Sequence, residues 1–109
     1  RQRTYDGIIM DPPKYGRGPK GEIWRIEEDL HPLLRQAADL LSSDALFLVL
    51  TIYAIRASSL AAYYALTDVL KDRPGSIEAG ELVIEESALS RLDTRRYVSQ
   101  ANFARWAAY

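Results

Sequence analysis

An acidic residue followed by two prolines, Asp11-Pro12-Pro13, is where the chain's residue types could do chemistry. A short apolar run, Gly7-Ile8-Ile9-Met10, precedes it and reads as a buried strand. Proline has a fixed φ and no N–H to donate, so a central strand cannot continue through Pro12 and Pro13. Pro12 also biases Asp11 toward extended backbone. A carboxylate is thereby held on a stiff turn at the carboxyl end of a strand, the place where open α/β sheets bind ligands. A basic, glycine-rich loop follows from Lys14 to Gly21 and carries Lys14, Arg17 and Lys20. The pattern predicts an active-site turn with a substrate-facing loop.

Charge is spread unevenly around that turn. Residues 1–25 hold six Lys/Arg and three Asp/Glu, a net +3, whereas residues 26–109 hold eight and twelve, a net −4. The basic excess reads either as a solvated loop or as a patch for an anionic substrate. Gly16, Gly18 and Gly21 fit the spacing of a dinucleotide fingerprint after a strand. That reading is disfavoured: the strand-to-helix turn is not tight, Pro19 has no N–H for a phosphate, and the next strand ends in Thr51-Ile52-Tyr53 without an acid for a ribose. Gly21 is followed by Glu22, so the phosphate-loop pattern fails as well. The glycines are read as residues that let a surface loop turn.

Cysteine is absent and His31 is the single histidine, which leaves no thiolate nucleophile, disulfide or histidine-based metal site in this sequence. An apolar fraction of 48% suits a folded chain. No apolar run approaches membrane-spanning length and there is no secretory signal pattern, so a cytoplasmic location without membrane partners is expected. The 109 residues make one domain or part of one. The chain opens on Arg1 and enters a strand almost at once, as a piece cut from something longer would.

Tyr5–Met10 is expected as a first strand, apolar enough to be a parallel one covered on both faces. Glu22–Leu30 is expected as a short helical segment. Pro32 then interrupts it and opens a second helix, which runs to about Leu41 with Leu33, Leu34, Ala37, Ala38 and Leu41 on one face. His31, at the junction, is read as a capping or packing residue. Ala45–Leu50 is a second buried strand, whose end at Thr51-Ile52-Tyr53 falls near Asp11 if the two strands are neighbours. Ser58 or Ser59 caps a helix to about Lys71, with Leu60, Tyr63, Leu66, Thr67 and Leu70 at helical spacing. Ile77–Glu86 and Tyr97–Phe103 alternate as strands. The connection between them is too short for a helical crossover, so they are expected to pair antiparallel, with Arg91, Arg95 and Arg96 at a solvated tip. The first strand is too apolar for an edge, and an upstream strand should pair with it.

These residues resemble a family. The strand ending in Asp11-Pro12-Pro13, two crossover helices and a terminal hairpin resemble the C-terminal half of a class I S-adenosylmethionine-dependent methyltransferase. Asp11-Pro12-Pro13-Lys14-Tyr15, with Gly16 to Trp24 after it, is similar to bacterial methyltransferases of large-subunit ribosomal RNA, as is Phe103-Ala-Arg-Trp106. The resemblance implies the C-terminal half of a doubly wound, Rossmann-like α/β sheet, mainly parallel with a terminal antiparallel hairpin. It implies residues 1–109 as the C-terminal part of a catalytic domain whose upstream half binds cofactor. It implies S-adenosylmethionine as cofactor, RNA as partner and no metal. Asp11 and the Pro12 carbonyl, with Pro13 completing the turn, would accept hydrogen bonds from an exocyclic amine and aim its lone pair at the methyl group. Tyr15 or Trp24 would stack on the base, and Lys14, Arg17 and Lys20 would meet phosphate. Asp11 and Pro12 also stand where the fold's fourth strand approaches the methionine end of the cofactor.

Two departures shape what is carried over. The family's glycine-rich cofactor loop and acidic ribose ligand precede the Asp-Pro-Pro strand and are absent from this sequence. The cytosine-C5 members use a cysteine after the following strand, where this chain has Thr51-Ile52-Tyr53. Transfer to an exocyclic amine, or to another nucleophile that needs no covalent step, therefore fits better. A methyltransferase of small molecules or proteins, and a non-catalytic RNA-binding domain on the same fold, stay open as alternatives.

Overall fold

The computed structural model describes residues 3–53, 58–85 and 96–109. In chain order its elements are β1 (Gly7–Met10), β2 (Tyr15–Arg17), β3 (Ile23–Arg25), α1 (Ile26–Leu40), β4 (Phe47–Ile52), α2 (Ser59–Val69), β5 (Gly75–Glu85) and β6 (Tyr97–Ala108). Four strands make the main sheet in the order β1-β4-β6-β5, and β2 and β3 form a separate two-stranded sheet.

β1 and β4 pair in parallel, with Gly7 opposite Phe47 and Met10 opposite Leu50. β6 runs antiparallel to both β4 and β5. β1, β4 and β5 thus share one direction and β6 opposes them, which gives a mixed α/β sheet, mostly parallel, with one antiparallel strand. The expected antiparallel pairing of the two last strands holds. β6 also inserts between β4 and β5, a position that alternation along the strands does not encode. Ser87–Arg95 of the connecting segment, including Arg91 and Arg95, lies outside the described residues, and Arg96 is exposed.

The core lies on one face of the sheet. Side chains alternate between faces along a strand, and Leu48, Leu50 and Ile52 of β4 are all at most 2% exposed. Ile26, Leu34 and Ala37 of α1, Ala62 and Leu66 of α2, and Ala104 and Trp106 of β6 join them in one cluster. Both described helices therefore cover the same face, whereas a doubly wound sheet carries helices on both. On the opposite side Ile9 is 73% exposed. Within residues 1–109 β1 lies at the sheet edge with an uncovered face, where an upstream strand was expected to pair.

Two expectations are corrected near the turn. The loop 14–21 is not irregular: Tyr15–Arg17 and Ile23–Arg25 pair as a hairpin, and Gly21 at its turn has φ +83°. That conformation strains residues with a Cβ. Helix α1 starts at Ile26 and continues through Pro32 to Leu40. Pro32 removes the bond to the Glu28 carbonyl, but it is exposed, so water can reach the freed carbonyl while Ile26, Leu34 and Ala37 stay buried. Asp29 accepts from the Arg25 backbone N–H at 2.8 Å, and Glu27, Glu28 and Asp29 complement the dipole in the first turn. In α2, Ala62 is buried and Leu60 is 56% exposed, so Leu60 is not on the core face.

Candidate active site

The parallel register Met10 opposite Leu50 carries on one residue past β1 and brings Asp11 beside Thr51. The Thr51 hydroxyl donates to Asp11 Oδ1 at 2.7 Å. It also lies 3.3 Å from the Met10 carbonyl. One hydroxyl hydrogen serves one acceptor at a time, and the shorter contact is to the carboxylate. Asp11 is exposed, Pro12 is buried and Pro13 is exposed. Among the described residues no donor reaches Asp11 Oδ2 or the Pro12 carbonyl. Two acceptors at the carboxyl end of β1 are thus without a donor among the described residues.

The far end of the turn is held by the hairpin. Trp24 Nε1–H donates to the Pro13 carbonyl at 2.6 Å. The Ile26 N–H donates to the Lys14 carbonyl at 3.1 Å. Register pairs Tyr15 with Arg25 and Gly16 with Trp24. The hairpin tip is closed by Gly18 N–H to the Glu22 carbonyl at 2.8 Å and Gly21 N–H to the Gly18 carbonyl at 3.1 Å. A Cβ at Gly18 would run into the Glu22 side chain.

The hairpin and its lead-in carry the residues that the sequence assigned to substrate, Lys14, Tyr15, Arg17, Lys20 and Trp24. Lys14, Arg17 and Lys20 are exposed. Tyr15 is 51% exposed, and its hydroxyl accepts from Arg17 Nε at 3.2 Å. Trp24 is half-buried, with its one polar atom committed to Pro13. Of the two aromatic candidates for stacking, Tyr15 is therefore the open one. A cleft of about 390 Å³ separates hairpin from helix and is lined by Gly18, Glu22, Trp24, Asp29, Leu33 and Gln36.

His31 does not face the turn. Its Nε2 lies 2.6 Å from Asp68 Oδ2 and ties α1 to α2. The hydrogen bond from His31 holds the Asp68 carboxyl below the ordinary carboxylate range, against the opposing effect of desolvation. Among the described residues no group of three or more His, Asp or Glu could hold a metal. No helix among them is long and apolar enough to cross a membrane.

Sequence reasoning brought Thr51 near Asp11 but did not foresee the hydroxyl–carboxylate bond, and it missed the indole–carbonyl bond altogether. The first follows from strand register. The second needed the hairpin, whose signal was Tyr15 and Ile23-Trp24 flanking a Gly-Pro-Lys-Gly turn.

Over 99% of its length the chain is similar to the crystal structure of a SAM-dependent methyltransferase from Agrobacterium tumefaciens, with 39% identity and a TM-score of 0.90, and it covers 34% of that chain. It also aligns over 96% of its length with a protein assigned as a methyltransferase and complexed with SAH, at 18% identity and a TM-score of 0.57, covering 27% of it. A precorrin-6y C5,15-methyltransferase from Geobacter metallireducens matches over 98% of this chain and 46% of its own, at 13% identity and a TM-score of 0.51. At these two lower identities the likeness is one of fold alone. No family model matches the chain, and no protein of curated function does. The chain spans about a third of the Agrobacterium protein's length. The likeness to the Agrobacterium protein supports S-adenosylmethionine as the cofactor.

Proposed function

We propose that the chain is the C-terminal, substrate-facing part of an S-adenosylmethionine-dependent methyltransferase domain that methylates an exocyclic amine of an RNA base, with ribosomal RNA as the RNA. The observation that carries this reading is the Asp11-Pro12-Pro13 turn at the end of β1, held at both ends by Thr51 and Trp24, with Asp11 Oδ2 and the Pro12 carbonyl left without a donor among the described residues. Two acceptors side by side suit the two hydrogens of an –NH₂ group, and binding both leaves the nitrogen lone pair facing away from them.

The residues of this chain fit the methionine end of the cofactor at Asp11 and Pro12; its remaining contacts belong to the upstream half of the domain. S-adenosylmethionine supplies the methyl group when bound. Asp11 and Pro12 then orient the nucleophile, and the rigidity of Pro12-Pro13 keeps the acceptors fixed as the amine approaches. Tyr15 offers a ring for the base to stack on once it has left its duplex. Lys14, Arg17 and Lys20 supply positive charge on the same hairpin for the flanking phosphates.

The test uses the full-length natural protein, labelled S-adenosylmethionine, and extract from cells that lack the enzyme. Nuclease-sensitive label, lost in Asp11→Ala, is the expected result. Label confined to protein or small molecules would replace RNA with another acceptor. Asp11→Ala with wild-type transfer would sink the role of the turn. Replacing Lys14, Arg17 and Lys20 together by Ala should weaken RNA binding and flatten its salt dependence; an enzyme of small molecules would hardly respond.

A further inference from the structure

We infer that Thr51 and Trp24 are positioning residues that pin the two ends of the Asp11–Pro13 turn and so set the direction of the two acceptors on it, Asp11 Oδ2 and the Pro12 carbonyl. This rests on the reading of Asp11 and Pro12 as the acceptors of the nucleophile.

The inference follows from counting the torsions of the turn. The backbone has two soft angles per residue, and proline removes φ at positions 12 and 13. At Pro13 the remaining angle, ψ, sets where the carbonyl points. That carbonyl is taken by Trp24 Nε1–H at 2.6 Å. The indole itself cannot drift, because β3 is paired with β2 and the next residue but one, Ile26, donates to Lys14 and is 3% exposed. At the other end, Asp11 follows directly on the β1–β4 ladder. Its free angles are those of the side chain, and the terminal torsion of a carboxylate has a broad well. Thr51 occupies Oδ1 at 2.7 Å. One carboxylate oxygen is thereby consumed, so a carboxylate that could present either oxygen in many directions is held with Oδ2 as its free one.

Two consequences follow. Trp24 serves the site from behind, through Pro13, and Tyr15 is left as the aromatic that meets substrate. The β2–β3 hairpin is the mount of the catalytic turn, so its register transmits directly to the acceptors.

The experiment uses the full-length protein, with total RNA from cells lacking the enzyme as acceptor. Thr51→Val keeps the shape and removes the donor; Thr51→Ser keeps the donor. Thr51→Val should lower kcat on the order of 10- to 100-fold, the scale of a misoriented reacting group, with KM for S-adenosylmethionine and the thermal midpoint close to wild type. Thr51→Ser should recover kcat to within a few-fold. Trp24→Phe, which keeps a ring and loses the N–H, should lower kcat about tenfold. In substrate-free wild-type protein the Trp24 indole proton, assigned by its absence from Trp24→Phe, should resonate downfield and exchange slowly with solvent.

Wild-type kcat in Thr51→Val, or a Thr51→Ser variant as slow as Thr51→Val, would overturn the role of Thr51. Wild-type kcat in Trp24→Phe, or a freely exchanging indole proton, would overturn that of Trp24. A wild-type protein that transfers no methyl group to RNA would instead overturn the proposed function. The indole signal, read without substrate, separates that failure from a failure of the pinning.

Discussion

The two faces of β4 make opposite use of neighbouring residues. Leu48, Leu50 and Ile52 point into the cluster formed with both helices and are at most 2% exposed. Phe47, Val49 and Thr51 point the other way and are half-buried. Thr51, on this second face, holds Asp11. The residues paired with β4 follow the same division: Trp106 and Ala104 lie with the core, whereas Arg105 lies opposite Val49 and bonds Glu78 at 2.6 Å. One strand thus carries stability on its even-numbered residues and the site on its odd-numbered ones. The difference teaches that the site can be altered without touching the packing that supports it.

The largest effect expected from breaking that division is on chemistry. Asp11→Ala should reduce methyl transfer by the full-length protein about 1000-fold, near 4 kcal/mol of transition-state stabilisation, while its urea midpoint stays within experimental scatter of wild type. On the covered face, Leu50→Ala should cost about 2–5 kcal/mol in urea unfolding, through lost transfer energy and the cavity left behind. Gly75→Ala should cost about 1–3 kcal/mol, because its Cβ would lie against Trp106 and 2.5 Å from the Ala107 carbonyl. Val49→Ala bears on it most directly: it should cost under about 1.5 kcal/mol in residues 1–109 alone and clearly more in a full-length protein whose upstream half, as proposed, covers that face. Equal costs in the two lengths would mean the face stays bare.

The smallest effect is the helix–helix tie. The Asp68 carboxyl is held below its ordinary value by His31. A depressed folded-state pKa contributes stability that is present above the unfolded value and lost as pH falls through the folded one. Wild type and Asp68→Asn should therefore differ in thermal midpoint near neutral pH and converge on acidification. A gap that widens toward acid would reverse the sign and remove His31 as the cause.

What could be read in advance was whatever depended on local pattern. The apolar runs of β1 and β4, the stop at Pro12-Pro13 and the alternation of β5 and β6 all translated into elements with small shifts at their ends. The failures share a cause, which is that tertiary contacts decided them. Pro32 was read as a helix break because the bond it removes is local, whereas the burial of Ile26, Leu34 and Ala37 that carries α1 past it is not. Residues 14–21 were read as a loop because glycine and proline are frequent there, yet the pairing of Gly16 with Trp24 makes it a hairpin. The bond that Trp24 makes was not foreseen, and the reading of Trp24, with Tyr15, as a stacking residue came from the resemblance. Its partner, the Pro13 carbonyl, is eleven residues away, and no spacing rule joins an indole to a backbone oxygen. Asp11, in contrast, was legible because the stiffness that exposes it is written in its two following residues.

The place of β6 bears on how the chain is made. β6 is the last described strand to be synthesised, and it sits in the interior of the sheet, with β4 on one side and β5 on the other. As the chain leaves the ribosome from its N-terminus, β1, α1, β4 and α2 emerge while the partner edge of β4 still stands open, and β5 has no neighbour at all. Trp106 and Ala104, which close the core, are the last of the buried cluster to appear. A nascent chain halted before Tyr97 should thus expose both unpaired edges and depend on chaperones, and the folded state should arrive in one late step.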